Sequence, residues 1–462
     1  MAELKEEMEK GVKDLVQWAS NVRFEEIPEA ALRRAVLIIA DDLAAMVASR
    51  KETELVSILE QIVRNTTKEE ATLFCGGRRR TDRFSAAIGN AMAANWSELD
   101  EGYRKATCHA GLYTLPALLA EAQAEGKTVG EVLRAAVISY EVITRIARGW
   151  AIYPLILHPH AYFAAVGAAS AIASLRHLDV KDFFNALTSS ATLVVIGPFN
   201  HGVKGALVRN MWAASGAWHG MMSVDWALCG IGGLGSTFYD VYTTALGGTM
   251  HPEQLTSNLG GEWAIRDGYH KIFACCQYGH SAVEAALSIA ADMPPERTSQ
   301  DIKRVVVETH ARGLTLDNYN PETTLASKFS MPHIVAATLV FGHAGVEAFD
   351  SLALRKPEIV ELRSKIELRP FLPEQEWPND RPARVTVELK NGVVLTRECM
   401  SAKGGPDRPF TEEEILRKVT QITSGVYPDL APSLTEFLAL TSEKKAERWD
   451  TLVGRLIGGK ES

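Results

Sequence analysis

The sequence predicts a mainly α-helical protein with an α+β insertion. The first part of the chain carries apolar residues at helical spacing in many Ala-rich runs. After about Asp267 the chain contains β-branched segments and segments in which apolar and polar residues alternate, as is typical of strands. After Pro409 the helical pattern returns. We therefore expect a large helical domain built from both chain ends, residues 1–267 and 403–462, and a smaller α+β domain over residues 268–402.

The helices of the first part are predicted by periodicity and by end signals. A helix starts at Pro28, and Thr128 is a typical N-cap for another. Further helical patterns cover residues 86–95, 115–124, 129–149, 161–175, 180–193 and 212–228. The run at 161–175 is so rich in Ala and Gly that we expect its neighbours to pack very close to it, in a compact bundle.

The strands are predicted after the change in texture. Residues 302–310 are β-branched, and residues 384–399 predict a hairpin because apolar residues alternate around an Asn391-Gly392 turn. Residues 365–368 predict another strand, with helices at 281–291 and 332–341 between the strands.

The last part of the chain is predicted to be helical. Thr411 is followed by three glutamates, which is a strong helix start. Residues 432–457 continue the helical pattern, so we expect the C-terminus to return to the first domain.

The composition of the 462 residues is that of a globular protein, with 46% hydrophobic and 23% charged residues. The net charge of −8 argues against nucleic-acid binding but leaves an anionic substrate open, since local cations can override the global sign. The first ten residues resemble neither a signal nor a transit peptide, and the apolar runs are too short for a bilayer. We expect a cytoplasmic protein without a membrane partner.

The six cysteines predict neither a metal site nor a cluster. They form no paired Cys-x-x-Cys spacing, so we expect reduced thiols. No spacing among them indicates an iron–sulfur cluster.

The densest group of ionisable residues lies at positions 97–111, between two apolar helical runs. It contains three acids, two cations and one histidine: Glu98, Asp100, Glu101, Arg104, Lys105 and His109. Proton transfer near pH 7 needs a group such as histidine, and an anionic substrate needs fixed cations. The alternative for His109 is a loop histidine that caps the following helix.

Other candidates have equally simple alternatives. His158 and His160 are two residues apart, but no third ligand is near in sequence, and at least one of them is expected to be a turn residue bonded to backbone. Lys204 and Arg209 lie at a loop-to-helix junction where cations can hold a carboxylate, although a solvated face is the default for any lysine.

A third group begins the α+β segment. Lys271, Cys276 and His280 together suggest a nucleophile, yet no local nucleophile signature accompanies them. Lys328 stands before a helix start and is expected to be structural.

Taken in order, these segments resemble the MmgE/PrpD family. The order is an acidic loop with His, a Leu-His before a small-residue helix, a cationic loop before Ala-Ala, a Lys-x-Phe-Ala-x-Cys-x-x-x-His run, and Pro-x-Thr-x-x-x-x-Lys-Phe-Ser. The resemblance covers positions from about 28 to 412. The family includes 2-methylcitrate dehydratase, cis-aconitate decarboxylase and iminodisuccinate epimerase.

The resemblance implies a helical domain with an inserted α+β lid, a homodimer, and an active site in the cleft between the domains. It also implies catalysis without a metal, an iron–sulfur cluster or an organic cofactor. By position it implies catalytic roles for His109, His158, Glu98 and Lys271. It implies substrate binding by Asp100, Tyr103, Arg104, Lys204, Arg209, Cys276 and His280.

The chain departs from the family pattern at several places. Glu98 stands where Asp is usual, Gly102 where the dehydratase and decarboxylase often have Thr, and Ala110 where Pro is usual. In the cationic loop Lys204 is shifted, and Arg209 falls where the family often has His. These groups decide which acid fits, because an arginine clamp is bidentate whereas lysine is a point charge.

The predicted function is a cofactor-independent lyase that dehydrates or decarboxylates a small polycarboxylate of the citrate or aconitate type. His109 would exchange a proton α to a carboxylate, and His158 would complete the relay or protonate a leaving hydroxide. Lys204, Arg209 and Lys271 would stabilise the enediolate. The alternatives are an epimerase or isomerase with the same proton chemistry, and a catalytically silent relative that only binds a carboxylate or a protein partner.

Overall fold

The computed structural model describes residues 2–293 and 299–458. Helices dominate its first part, as predicted from the periodicity. They are α1 (Ala2–Asn21), α2 (Glu29–Ala48), α3 (Thr53–Asn65), α4 (Arg83–Trp96), α5 (Ala110–Ala124), α6 (Val129–Gly149), α7 (His160–Leu175), α8 (Val180–Ala191), α9 (Phe199–Lys204), α10 (Trp212–Leu228) and α11 (Glu253–Thr256).

Helix α7 is the centre of this bundle, because all its residues are buried and it packs against α5, α6, α8 and α10. Its small residues let α10 come very close. A Cβ at Gly216 of α10 would lie 2.3 Å from the Cβ of Ala164, and one at Gly220 would lie 2.5 Å from the Cβ of Ala168. The close packing expected from the Ala- and Gly-rich run is confirmed.

The second part contains a four-stranded sheet flanked by helices. Its helices are α12 (His280–Asp292), α13 (Ala311–Leu314), α14 (Thr324–Lys328), α15 (Met331–Phe341), α16 (Ser351–Arg355) and α17 (Pro357–Ser364). Short paired strands elsewhere are β1 (Ala71–Leu73) with β2 (Arg79–Thr81), β3 (Gly102–Tyr103) with β6 (Gly268–Tyr269), and β4 (Trp150–Ala151) with β5 (Thr249–Met250). The sheet consists of β7 (Ile302–Thr309), β8 (Ile366–Pro370), β9 (Ala383–Leu389) and β10 (Val394–Cys399).

The strand order in this sheet is β10-β9-β7-β8, with β7 and β8 parallel and the other neighbours antiparallel. The β9–β10 hairpin turns at Gly392, whose φ of 88° is accessible to glycine at little cost. Both the hairpin and the strand after Asp301 agree with the sequence pattern. The mainly helical fold with a smaller β component is confirmed.

The last part of the chain is formed mainly by helices. They are α18 (Glu412–Thr423), α19 (Leu430–Phe437), α20 (Ser442–Ala446) and α21 (Trp449–Leu456). Thr411 caps α18 with a capping box, as expected. The segment 432–457 is helical as predicted, but it is divided into three helices, because Leu440 takes a φ of 47° and Thr441 then caps a new helix.

The buried apolar side chains form two clusters. One joins α1–α8 and α10 to α18, α19 and α21, so both ends of the chain contribute to it. The other consists mainly of residues between Phe273 and Leu389, with Ala45, Ala48 and Leu99 at its border. Within the described ranges, no helix has the length and apolar character needed to cross a membrane.

Candidate active site

The acidic loop lies between the end of α4 and the start of α5. The Tyr103 N–H donates to the Cys108 carbonyl at 2.8 Å, which closes the loop on itself. Strand β3 within the loop pairs with β6, where Gly102 is opposite Tyr269. This pairing brings the loop against the segment that carries Lys271.

Asp100 connects two of the charged groups. Its Oδ2 lies 2.6 Å from His109 Nδ1, and its Oδ1 accepts from Lys271 Nζ at 3.3 Å. Burial alone would raise the pKa of Asp100, but Lys271 and His109 outweigh it and hold this pKa well below its usual range. Burial likewise opposes the Lys271 ammonium, yet Asp100 keeps the pKa of Lys271 above its usual value. At neutral pH the pair is a carboxylate and an ammonium.

The state of Asp100 fixes the tautomer of His109. An ionised carboxylate only accepts, so Nδ1 of His109 carries the proton in their hydrogen bond. In the neutral imidazole the lone pair is then on Nε2. The arrangement leaves His109 with one ring nitrogen oriented by a carboxylate and the other free to accept a proton.

His158 and His160 lie beside His109. The His160 ring centroid is 5.0 Å from that of His109 and 4.2 Å from that of His158, and its Nδ1 is 2.8 Å from the Tyr113 hydroxyl. Burial is the main cause that lowers the pKa of both His158 and His160 well below the usual value. The charge of Arg209 lowers the pKa of His158 further, and the neighbouring His158 lowers that of His160 further. Both rings are therefore neutral at pH 7.

The neutral His158 is a hydrogen-bond donor. Its Nδ1 accepts the backbone N–H of His160 at 3.3 Å, so its proton is on Nε2. The turn contact to backbone that the sequence suggested for one histidine is thus present in His158. The ring that makes this contact also lines the cavity described below.

Glu98 is held between two cations. Its Oε1 is 2.6 Å from Arg209 Nη1, and its Oε2 is 3.8 Å from Lys271 Nζ. Arg209 Nη1 also donates to Asn95 Oδ1 at 2.5 Å. The φ of Glu98 is 54°, a left-handed conformation that costs a non-glycine residue energy and persists only where its surroundings fix it. The ion pairs and burial of Glu98 supply that constraint.

These groups surround a small cavity of about 60 Å³, which we call the inner cavity. It is lined by Glu98, Tyr103, Ala106, Thr107, Cys108, His109, His158, Pro159, Phe199, Arg209, Tyr269, Lys271, Cys276, Gln277, Tyr278, Phe329 and Arg381. It therefore brings together two imidazoles, a carboxyl group and several cations, with the carboxylate of Asp100 directly behind them. That set can hold a small anion and move a proton at one of its carbons.

The small size of Gly102 makes room for the Tyr269 phenol. A Cβ at position 102 would lie 2.5 Å from the Tyr269 hydroxyl oxygen, far inside contact distance. Tyr269 is buried, its ring centroid is 6.4 Å from that of His109, and burial raises the pKa of its phenol above the usual value. The phenol thus stays protonated at the place where a side chain at position 102 would otherwise project.

A second layer of acids supports the loop from behind. Glu101 accepts from the backbone N–H of Gly111 at the start of α5 and from the Tyr140 hydroxyl at 2.9 Å. Asp42 accepts from the Glu101 N–H at 3.2 Å. Burial raises the pKa of Glu101 to about 8, and burial together with Glu101 raises that of Asp42. Both carboxyl groups are therefore biased towards the protonated form, and the hydrogen bonds of Glu101 fix the loop onto α5.

Two family models together match most of the chain. The MmgE/PrpD N-terminal domain matches residues 13–252, and the MmgE/PrpD C-terminal domain matches residues 273–436. The chain belongs to the MmgE/PrpD family. This confirms the resemblance inferred from the order of the motifs.

Several curated relatives are similar along most of the chain. The cis-aconitate decarboxylase-like protein oryM of Aspergillus oryzae is 25% identical in an alignment of 490 positions, gaps included, that covers 97% of each chain. Cis-aconitate decarboxylase of Aspergillus terreus is 25% identical in an alignment of 467 positions that covers 93% of each chain. Cis-aconitate decarboxylase of Mus musculus is 23% identical in an alignment of 401 positions that covers 81% of this chain and 78% of that protein.

The family resemblance assigned site roles to a set of residues, and most of them lie in the wall of the inner cavity. Asp100 contacts that wall through His109, and three of the residues do neither. Lys204 is exposed at the end of α9. Arg104 points its guanidinium at Asp380 Oδ1, 2.6 Å away, and His280 makes its ring contact with the Cys275 carbonyl at 3.2 Å. Burial, aided by Lys271, lowers the pKa of His280 to about 3.

The surroundings of Cys276 and Lys328 show what these two residues of the motifs contact. Cys276 lines the inner cavity, but burial and the nearby Glu98 raise the pKa of its thiol to about 11, so it is not a thiolate at pH 7. Lys328 is buried, 2.8 Å from Glu52 Oε1, and it donates to the Trp96 carbonyl at 3.0 Å. That position fits the structural role expected of it.

Two polar side chains that line the inner cavity, Tyr269 and Arg381, were not among the sequence candidates and carried no signal of their own. His160 was considered together with His158 but was not selected as a site residue. Tyr269 lies two residues before Lys271, and Arg381 follows a Pro-Asn-Asp loop. The Arg381 guanidinium is 5.1 Å from the Tyr278 ring centroid, and it donates to the Gln277 side chain. Only the pairing of distant segments brings these groups to the cavity.

The part of the chain that the structure describes contains no group of three or more His, Cys, Asp or Glu side chains arranged to hold a metal ion. His158 and His160, two residues apart, therefore lack a third such side chain placed to complete a metal site among the described residues. Their rings contact each other and the neighbouring aromatic residues instead.

Proposed function

We propose that the protein is a lyase that dehydrates or decarboxylates a small polycarboxylate of the citrate or aconitate type by proton transfer α to a carboxylate. The observation that carries the proposal is the pair of Asp100 and His109 at the inner cavity, next to the buried ammonium of Lys271. Such a pair can deprotonate carbon only where the resulting charge is stabilised. The similarity to cis-aconitate decarboxylases supports a carboxylate substrate.

In this proposal His109 is the base. Asp100 orients the imidazole through Nδ1 and stabilises the imidazolium that forms when Nε2 takes the proton. A hydrogen α to a carboxylate is very weakly acidic, so the enediolate must be stabilised at once. Lys271 and Arg209 supply fixed positive charge in a buried site, where it acts more strongly than in water.

The carboxylates of the substrate would compete with Glu98 for these cations. Glu98 is paired with Arg209 at 2.6 Å, so an incoming carboxylate can share that guanidinium, whose fork has several donors. Arg381 and the Tyr269 phenol, which also line the cavity, add further donors. The number of donors fits an anion with more than one carboxylate.

His158 would be the acid. Its Nε2–H is available because Nδ1 accepts from backbone, and the ring lines the same cavity as His109. In a dehydration it would protonate the leaving hydroxide. In a decarboxylation carbon dioxide leaves its bonding electrons on the substrate, so His109 removes no proton, and His158 would supply the one proton that the resulting carbanion takes up. We place the α+β segment over the helical part as a lid, since Lys271 and Cys276 come from it. A homodimer belongs to the same proposal, and analytical ultracentrifugation tests it.

An epimerase is the second candidate. Epimerisation needs one imidazole that accepts a proton and another that donates one to the opposite face. The tautomers derived for His109 and His158 provide that combination. The two reactions differ in whether a group leaves, which the products reveal.

The proposal is tested by proton NMR in D₂O with citrate, 2-methylcitrate, cis-aconitate, iminodisuccinate and related diacids. New vinylic signals or loss of carbon dioxide identify a lyase. Deuterium that enters an otherwise unchanged acid identifies the epimerase. No change with any acid of the panel would contradict both candidates and leave the silent carboxylate-binding relative.

A further inference from the structure

A second and larger cavity of about 450 Å³ lies beside the inner cavity, and we call it the outer cavity. Its lining includes Arg104, Lys105, Arg148, Arg312 and His251. No aspartate or glutamate is among the described residues that line it. The whole chain has a net charge of −8, so a cavity wall with several cations and no acid is locally of the opposite charge.

Of the four described arginine and lysine side chains in this wall, two are neutralised by an ion pair and two are not. Arg104 is 2.6 Å from Asp380, and Lys105 is 2.5 Å from Asp267. Arg148 and Arg312 form no ion pair with any carboxylate of the described residues, and Arg148 Nε is buried without a hydrogen-bond partner there. The charge of Arg148 does act on the Glu141 carboxylate, but neither guanidinium is bonded to an acid of the described residues, so the donors of both remain available to an anion.

The two unpaired arginines lie against the wall of the inner cavity. The Arg148 guanidinium is 5.9 Å from the ring centroid of Tyr103, and that of Arg312 is 5.9 Å from the ring centroid of Tyr278. Both tyrosines line the inner cavity, and the two cavities share Ala106 and Thr107. An anion in the outer cavity is thus separated from the inner one only by a wall of a few side chains.

We infer that the outer cavity is a capture site for multivalent carboxylates, which it binds before they enter the inner cavity. The assignment of the captured anion as the substrate rests on the proposed function, whereas the binding of the anion does not. The volume of the outer cavity is several times that of the inner one, so it can take an acid with its hydration water. Arg148 and Arg312 then raise the local concentration of the acid and its rate of association.

The first test measures steady-state kinetics with the acid that the wild-type protein converts. Arg148→Gln and Arg312→Gln should each lower kcat/KM about 10-fold at low salt while kcat stays unchanged. Salt at about 0.5 M should reduce the difference to less than about 2-fold, because it screens the attraction. Arg148→Lys and Arg312→Lys keep the charge and should recover most of kcat/KM. Arg64→Gln is the matched control, since it removes one exposed arginine charge from α3.

The second test does not depend on turnover. Isothermal titration calorimetry with citrate should detect binding to the wild-type protein, to Arg64→Gln and to His109→Gln. Arg148→Gln and Arg312→Gln should each bind citrate about 10-fold or more weakly. Because Arg312 lies on the short α13 and Arg148 near the end of α6, misfolding of one variant leaves the other informative. Equal citrate affinity in Arg148→Gln, Arg312→Gln and Arg64→Gln, or no citrate binding to wild type, would overturn the inference. If the arginine variants lose citrate while no acid of the panel is converted, the proposed function fails and the capture site stands.

Discussion

Replacing Asp100 by asparagine tests how the site holds His109. Lys271 Nζ is 3.3 Å from Asp100 Oδ1, and 3.8 Å from Glu98 Oε2. At an effective dielectric constant of about 20, the first contact corresponds to about 5 kcal/mol of Coulomb energy and the second to about 4 kcal/mol. Removing one partner of a buried pair costs about 3–5 kcal/mol of stability, because a charge is left uncompensated.

The same change should separate kcat from KM. The amide of the Asp100→Asn variant no longer fixes the Nδ1–H tautomer of His109 or stabilises its imidazolium, so kcat should fall by about 10³-fold or more. The loss of one negative charge beside Lys271 leaves the cavity more positive, so KM for a polycarboxylate should not rise. The assay is steady-state turnover of the acid that wild type converts, measured well below the unfolding temperature, with a urea titration of each protein.

Glu52→Gln is the matched control. Glu52 Oε1 is 2.8 Å from the ammonium of buried Lys328, but neither side chain lines the inner cavity. Its substitution should cost stability of similar order while kcat stays within about 2-fold of wild type. A kcat for Asp100→Asn within about 3-fold of wild type would refute the reasoning, since the carboxylate would then not be needed to orient the base.

Three further predictions concern neighbouring groups. Arg209→Gln should lower kcat/KM about 100-fold because it removes a buried cation at the cavity. Lys204→Ala on the surface should change kcat/KM less than about 2-fold. Equal effects of the two substitutions in steady-state kinetics would contradict this prediction. Gly102→Ala should displace the Tyr269 phenol and lower kcat/KM at least about 10-fold, and a crystal structure with the phenol unmoved would contradict the steric argument. Glu101 has a pKa raised from 4.5 to about 8, so its contribution to stability is full at low pH and is lost as pH rises through 8. Between about pH 6.5, above which histidines are largely neutral in the unfolded state, and about pH 8, urea titrations should show a falling free energy of unfolding in wild type and a flatter profile in Glu101→Gln.

The sequence predicted the elements whose signals are local. Thr128 caps α6 as a typical N-cap residue, and Thr411 caps α18 as the three glutamates after it indicated. The Asn391-Gly392 turn closes the β9–β10 hairpin. The break at Leu440 could not be seen in this way, since its left-handed φ is not typical of leucine. The short β1–β2 pair was also missed, because three-residue strands have too little alternation to detect.

The candidate site was predictable where its residues are close in sequence. The loop with Glu98, Asp100 and His109 stood out by its density of ionisable groups, and Glu98 and His109 do line the inner cavity. Tyr269 and Arg381 reach the cavity through the β3–β6 pairing and through a loop far along the chain, which leave no local pattern. The spacing of the residues also could not decide whether Lys204 or Arg209 is the buried cation.

The central claim is that His109, oriented by Asp100, exchanges the proton α to a carboxylate. The most direct measurement is the rate of deuterium incorporation or product formation in D₂O by wild type and by His109→Gln, followed by proton NMR at equal concentrations of folded protein. The account predicts that the variant keeps the fold and its citrate affinity but loses at least about 10³-fold in rate. A rate for His109→Gln close to that of wild type would contradict it.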